Sequence, residues 1–195
     1  GGDIPLACAG IITKVNMIFM SFVIGISQGI QPIIGFNYGA AKYTRVRKTY
    51  LLALATATAL SFVAFGCFQL FPRQIISVFG KGSELYFQFS ERYFRIYMFL
   101  TLINGIQPVT SNFFNSIGKS SLGVFMSLTR QILFLLPLII VFPIFMGIDG
   151  VMYAGPIADA ATGIVCGIFT IRELKELKTL SYTSGNAAAA SGSAN

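Results

Sequence analysis

The sequence has 195 residues, 54% hydrophobic and 11% charged, with a net charge of +7 and a mean hydropathy of +0.72. A typical soluble domain carries about 25% charged residues, so a water-facing fold of this length would lack a polar coat, and the chain reads as one solvated by lipid. The positive charge does not point to nucleic acid, because Lys and Arg sit between apolar runs and form no continuous basic stripe.

Gly1, Gly2 and Asp3 open the chain without an initiator Met or the basic start of a signal peptide, so further upstream sequence is expected. A helix needs about 20 mostly apolar residues to cross a bilayer, and five stretches qualify. The first runs over about 4–36 with Lys14 inside it; it exceeds the bilayer requirement and is expected to tilt or project beyond the membrane. Residues 50–71 and 96–117 carry no charge. Residues 122–148 are interrupted by Arg130, Pro137 and Pro143, and residues 150–171 contain one acid, Asp159. None alternates with the period of a barrel strand, so the expected fold class is an all-α integral membrane protein of about five transmembrane helices. The segment 72–94 mixes charges and aromatics and fits an outer interfacial helix. From 181 to 195 the composition collapses to mostly Ser, Ala, Gly and Asn, which predicts a disordered tail after a membrane domain over 1–180.

Charge sets the orientation. Lys42, Arg45, Arg47, Lys48, Lys119, Arg172, Lys175 and Lys178 fall on one side, opposed only by Glu173 and Glu176. The other side balances Arg73, Lys81, Arg92 and Arg95 against Asp3, Glu84, Glu91 and Asp149. The positive-inside rule makes the first side cytoplasmic, which places the C-terminus inside a plasma membrane, in bacteria the inner one.

Histidine is absent, no nucleophile is paired with a base, and no phosphate-cradling loop occurs, so neither an enzyme nor a metal site is expected. Cys8, Cys67 and Cys166 lie in apolar stretches without CxxC spacing and read as small hydrophobes.

The tetrapeptide Gly-Ile-Gln-Pro occurs twice, at 29–32 and 105–108, each time late in an outside-to-inside span and followed by Asn (Asn37; Asn112 and Asn115). Proline removes a helical hydrogen bond and frees a carbonyl, which lipid tolerates only where polar neighbours or water satisfy the backbone. Pro32 and Pro108 are therefore expected helix kinks, with Gln31 and Gln107 turned toward a bundle interior or cavity. The bland alternative is that Gly and Pro are simply commoner in membrane helices.

The stretch Gly25-Ile-Ser-Gln-Gly-Ile-Gln-Pro-Ile-Ile-Gly-Phe-Asn-Tyr-Gly-Ala40, followed by Lys42, Arg45 and Arg47, resembles the multidrug and toxic compound extrusion (MATE) family. Residues 105–121 and, more weakly, Gly155-Pro-Ile-Ala-Asp159 are similar to later helices of that family. The resemblance implies twelve helices in two six-helix lobes, exporting small organic, often cationic, compounds in exchange for protons or sodium. This chain would be part of the second lobe, helices eight to twelve, with the N-terminal lobe as its missing partner. The family's proton-coupling aspartate lies in the first lobe. Its sodium-coupled branch has a carboxylate on the tenth helix shortly before a Gln, where Asn104 stands here, ahead of Gln107. No organic cofactor is implied; the coupling ion, H+ or Na+, would bind mostly outside this chain.

Ionisable groups within a span are costly and are usually paired or functional. Asp159 lies ~14 Å into its span at about 1.5 Å per residue. Lys14 is expected at a similar depth and Arg130 enters from the opposite side, so Asp159 is expected to pair with one of them. That pair would either position helices around a cavity or be purely structural. Candidate cavity residues are Asn16, Gln31, Asn104, Gln107, Asn112 and Phe113. Two alternatives stay open: a lipid-linked oligosaccharide flippase, whose pyrophosphate would suit Lys14 and Arg130, and a non-transporting membrane subunit.

Overall fold

Proline spacing and the charge-free runs decide where this chain is continuous and where it breaks. The computed structural model describes residues 3–80 and 84–192. Helix α1 (Asp3–Gly39) is followed by α2 (Tyr43–Leu70), α3 (Pro72–Phe79) and α4 (Glu84–Tyr97). A 3-10 turn (Met98–Leu100) then leads into α5 (Thr101–Asn104), α6 (Ile106–Ser116) and α7 (Ser120–Leu128). A π-helical segment (Thr129–Leu135) joins α7 to α8 (Leu136–Met146), and α9 (Ile148–Gly192) closes the chain. No strand occurs among the described residues.

Among the described residues, four continuous helical stretches are long and apolar enough to cross a membrane: Leu6–Gly39, Tyr43–Leu70, Ser120–Phe145 and Tyr153–Thr183. The third predicted span, 96–117, is not one of them, because it is a stack of shorter helical pieces interrupted at Gly105. The cause lies in the repeat. Pro108 cannot donate to the Asn104 carbonyl four residues back, and Gly105 adds the poorest ordinary helix former at the same turn. The first copy behaves differently: Pro32 sits inside an unbroken α1. In the next span, Pro137 falls in the first turn of α8, and the wider π turn before it absorbs the lost bond to Leu133.

The broken third span occupies the centre. Helix α6 packs against α1, α2, α7 and α9 and buries Pro108, Val109, Thr110, Ser111, Phe113 and Phe114. The turn leaving it requires Gly118, whose φ of +81° is costly for residues with a Cβ. It lets the Lys119 amide donate back to the Phe114 carbonyl at 3.0 Å.

Aromatic contacts give the vertical register. Phe19 of α1 meets Phe68 of α2 edge-on at 6.4 Å, and Phe68 meets Phe94 of α4 at 5.7 Å. Helix α2 ends two residues later, whereas α1 and α4 continue past it and pack on each other. Gly80 lies between Tyr86 and Ile11, so tightly that a Cβ there would come within 2.9 Å of the tyrosine hydroxyl. The excess length of α1 is thus a projection clasped by α4. Lys14, five residues and ~7.5 Å above Phe19, stands beyond the level at which α2 ends.

The tail expected to be disordered from 181 differs as well, since the backbone stays helical to Gly192. Four consecutive alanines, Ala187–Ala190, supply strong helix propensity without needing a packing partner. Nothing beyond Leu177 is buried among the residues whose side chains are described. Gly1, Gly2, Lys81 and residues 193–195 lie outside the described residues.

Candidate functional site

Helices α1 and α6 pack on each other, and polar side chains that lipid would penalise find partners across that contact. The Gln31 carboxamide donates to Asn112 Oδ1 at 2.6 Å, and Asn112 Nδ2 donates to Ser27 Oγ at 2.7 Å. Ser27 is buried and its hydroxyl donates to the Ile24 carbonyl at 2.9 Å. Both amides keep partial exposure. The sequence pointed to Gln31 and Asn112 but missed Ser27, whose signal was its position one helical turn before Gln31.

A second polar contact line joins α6 to α7. Gln107 Nε2 donates to the Met126 carbonyl at 3.3 Å. Ser111 donates to the Gly123 carbonyl at 2.7 Å and therefore accepts from Ser127 Oγ, also at 2.7 Å. The helices approach this closely because residue 123 is glycine; a Cβ there would clash with Asn115 Oδ1 and lie 2.9 Å from the Ser111 carbonyl oxygen.

The third cluster surrounds the intramembrane ion pair. Arg130 Nε donates to Asp159 Oδ1 at 2.5 Å, which settles the partner of Asp159 as Arg130 and not Lys14. The carboxylate side chain is only 3% exposed and the guanidinium 23%. Asn104 lies in hydrogen-bonding reach of Asp159, and Tyr97 of Arg130. Gly155 makes room for the Tyr97 ring, which a Cβ would meet at 2.8 Å. The π turn delivers Arg130 to α9, where Asn104 stands beside the Arg–Asp pair.

The remaining candidates separate from these clusters. Phe113 is fully buried and stacked on Tyr50 at 4.1 Å, so it belongs to the core and not to a cavity wall. Tyr50 OH in turn bridges Thr110 at 3.0 Å and Thr170 at 2.9 Å, tying α2, α6 and α9 together. Pro108 is buried while Pro32 is exposed. Asn16 joins none of the three clusters, and its Oδ1 is buried without a hydrogen-bond partner among the described residues.

At the basic end, Lys119 reaches Glu173 at 2.8 Å and Glu176 at 3.1 Å, locking the α6–α7 turn to α9. Partial burial alone would lower the Lys119 pKa, but the two carboxylates outweigh it and hold the pKa above the usual lysine value. Sequence reading had placed these residues among loop charges; Glu173 is in fact buried. Among the described residues no three His, Cys, Asp or Glu side chains gather in a metal-binding group.

Membrane-length helices packed around a central broken span, with polar groups held inside by mutual hydrogen bonds, define a multi-pass α-helical membrane protein. Residues 2–141 match the MatE family model, and the chain belongs to that family. Similar to it is an FAD transporter of Shewanella oneidensis (strain MR-1), 22% identical over 161 residues that make up 83% of this chain and 35% of that protein. Among solved structures, the MATE multidrug transporter DinF-BH, captured with a bound ligand, is 35% identical with a TM-score of 0.78, over 84% of this chain and 36% of the other. An outward-facing multidrug resistance MATE transporter of the MOP superfamily shares the fold, with a TM-score of 0.83 at 18% identity over 92% and 40% of the two chains. The chain thus spans well under half the length of these relatives.

Proposed function

We propose that the chain forms part of one lobe of an efflux transporter that exports small organic, often cationic, compounds in exchange for protons or sodium. The observation that carries this reading is the Ser27–Asn112–Gln31 bridge between α1 and α6. It sets two partly exposed carboxamides, Gln31 of α1 and Asn112 of α6, close to Pro32. Carboxamides that satisfy one another can exchange partners with a passing solute at small cost, unlike a buried charge. The 35% identity with a multidrug transporter over most of this chain supports the same cargo class. The central packing of α6 fits a wall that moves as one body against the rest of the transporter, in a bacterial inner membrane with the basic loops and C-terminus inside.

The test is accumulation of ethidium and rhodamine dyes, with FAD as an alternative cargo, in an efflux-deficient bacterium expressing the protein from its native gene. Dye accumulation should fall on expression, and Gln31→Ala with Asn112→Ala should restore it while leaving membrane abundance unchanged. Collapse of the proton or the sodium gradient separately identifies the coupling ion. Unaltered dye levels together with FAD movement would replace drug export by nucleotide transport.

A further inference from the structure

Between α1 and α2, beneath α3, lies a groove of about 300 Å³ with no charged group in its lining. Its walls are Val15, Ile18, Phe19 and Phe22 on one side and Leu60, Val63, Ala64 and Phe68 on the other, with Ile75 and Phe79 of α3 as the roof. The groove follows the helix axes for ~10 Å, the rise from Val15 to Phe22. It is open sideways, since Ile18, Phe22 and Val63 are 53%, 63% and 65% exposed.

A cation stands at its upper rim. Lys14 is exposed, lies one turn above Ile18 on the same face of α1, and makes no ion pair among the described residues. The carboxylates of the neighbouring outer connection, Glu84 and Glu91, are engaged by Arg73. The register places Lys14 just beyond the end of α2, at the level where α3 crosses from α2 toward α1. Exposed Leu70, Phe71 and Val78 at that level suit a helix lying in the membrane surface. An apolar slot running along the helix axes, open sideways and crowned by a free ammonium, matches an acyl chain continued by a phosphate.

We infer that this groove binds one anionic phospholipid in the leaflet opposite the basic loops, its chain between α1 and α2 and its headgroup on Lys14. Charge complementarity at the rim selects this occupant over a protein helix, which would leave the ammonium unmatched.

Because the chain has no Trp, Phe22→Trp installs a silent-background reporter in the groove. The protein is reconstituted into phosphatidylcholine nanodiscs doped with equal fractions of brominated phosphatidylglycerol or brominated phosphatidylcholine. Quenching should favour phosphatidylglycerol about fivefold in apparent affinity, the scale of one lysine at an anionic leaflet, and Lys14→Gln should erase the preference. Phe145→Trp, at a site 81% exposed on α8, should be quenched equally by both lipids. Equal quenching of the groove reporter by both lipids overturns the headgroup assignment. No quenching there, with normal quenching at position 145, shows that protein covers the groove and overturns the proposal entirely. Should Phe22→Trp fail to fold, Val63→Trp on the facing wall gives the same readings.

Discussion

Asp159→Asn removes one charge from a pair that the fold has already desolvated. The carboxylate is 3% exposed, so the wild-type pair has given up its hydration and recovers it only through the 2.5 Å contact with Arg130 and the reach of Asn104. Asparagine keeps the volume and some hydrogen bonding but leaves a largely buried guanidinium without a counter-charge. Breaking a buried pair from one side costs about 3–5 kcal/mol; the residual exposure of Arg130 favours the lower end. For a domain of this size about 1 kcal/mol moves Tm by 2–4 °C, so the expected loss is about 6–12 °C. The assay is thermal unfolding in mild detergent, read with a thiol-reactive dye. Cys8 and Cys166 are buried and report unfolding, and Cys67, which is exposed, is replaced by Ser to remove background. The neutral pair Arg130→Gln with Asp159→Asn should regain more than half of the loss, because the penalty belongs to the orphaned charge. A shift below about 2 °C for Asp159→Asn, or a double variant as unstable as the two single losses combined, would refute the reasoning.

Tyr50→Phe keeps the stack on Phe113 but strands the hydroxyls of Thr110 and Thr170; a loss of about 1–3 kcal/mol is expected in the same unfolding assay. Gly123→Ala forces α6 and α7 apart against Asn115 and a backbone carbonyl, for an expected cost of about 1–3 kcal/mol and weakened protection of the Ser111 region in hydrogen exchange. Lys119 has a raised pKa in the folded state, so its contribution is complete below the unfolded lysine value of about 10.4 and disappears as pH rises through the higher folded value. Tm should therefore fall more steeply above about pH 10.4 for the parent protein than for Lys119→Gln; parallel curves would remove the ion pair from the stability of this end. Pro108→Ala supplies the missing amide to the Asn104 carbonyl and should extend helix across Gly105, seen as slowed amide exchange at residues 106–109.

Much of this protein was legible in its residues because lipid imposes a one-dimensional rule. A run of apolar residues long enough to cross must be helical, so composition alone determined the fold class, and long apolar runs at 50–71 and 122–148 overlap helical stretches of membrane-spanning length. The repeated Gly-Ile-Gln-Pro likewise announced polar groups facing inward, and Gln31, Gln107 and Asn112 do meet partners on neighbouring helices. What the linear pattern could not convey was which of two identical prolines would break its helix. That depended on neighbours: α1 stays continuous through Pro32, whereas at Pro108 the preceding glycine and the packing of four helices around α6 favour a break. Nor could spacing along one helix reveal depth, which is relative to the elements beside it. Lys14 could be placed against α2 only once the contact of Phe19 with Phe68 set the two helices in register. Asp159 found Arg130 because the π segment that carries Arg130 packs against α9, and Phe113 went to the core because Tyr50 lay across from it. Hydrophobicity is a property of residues and survives in the sequence; partner, depth and kink are properties of contacts and exist only once the helices are packed.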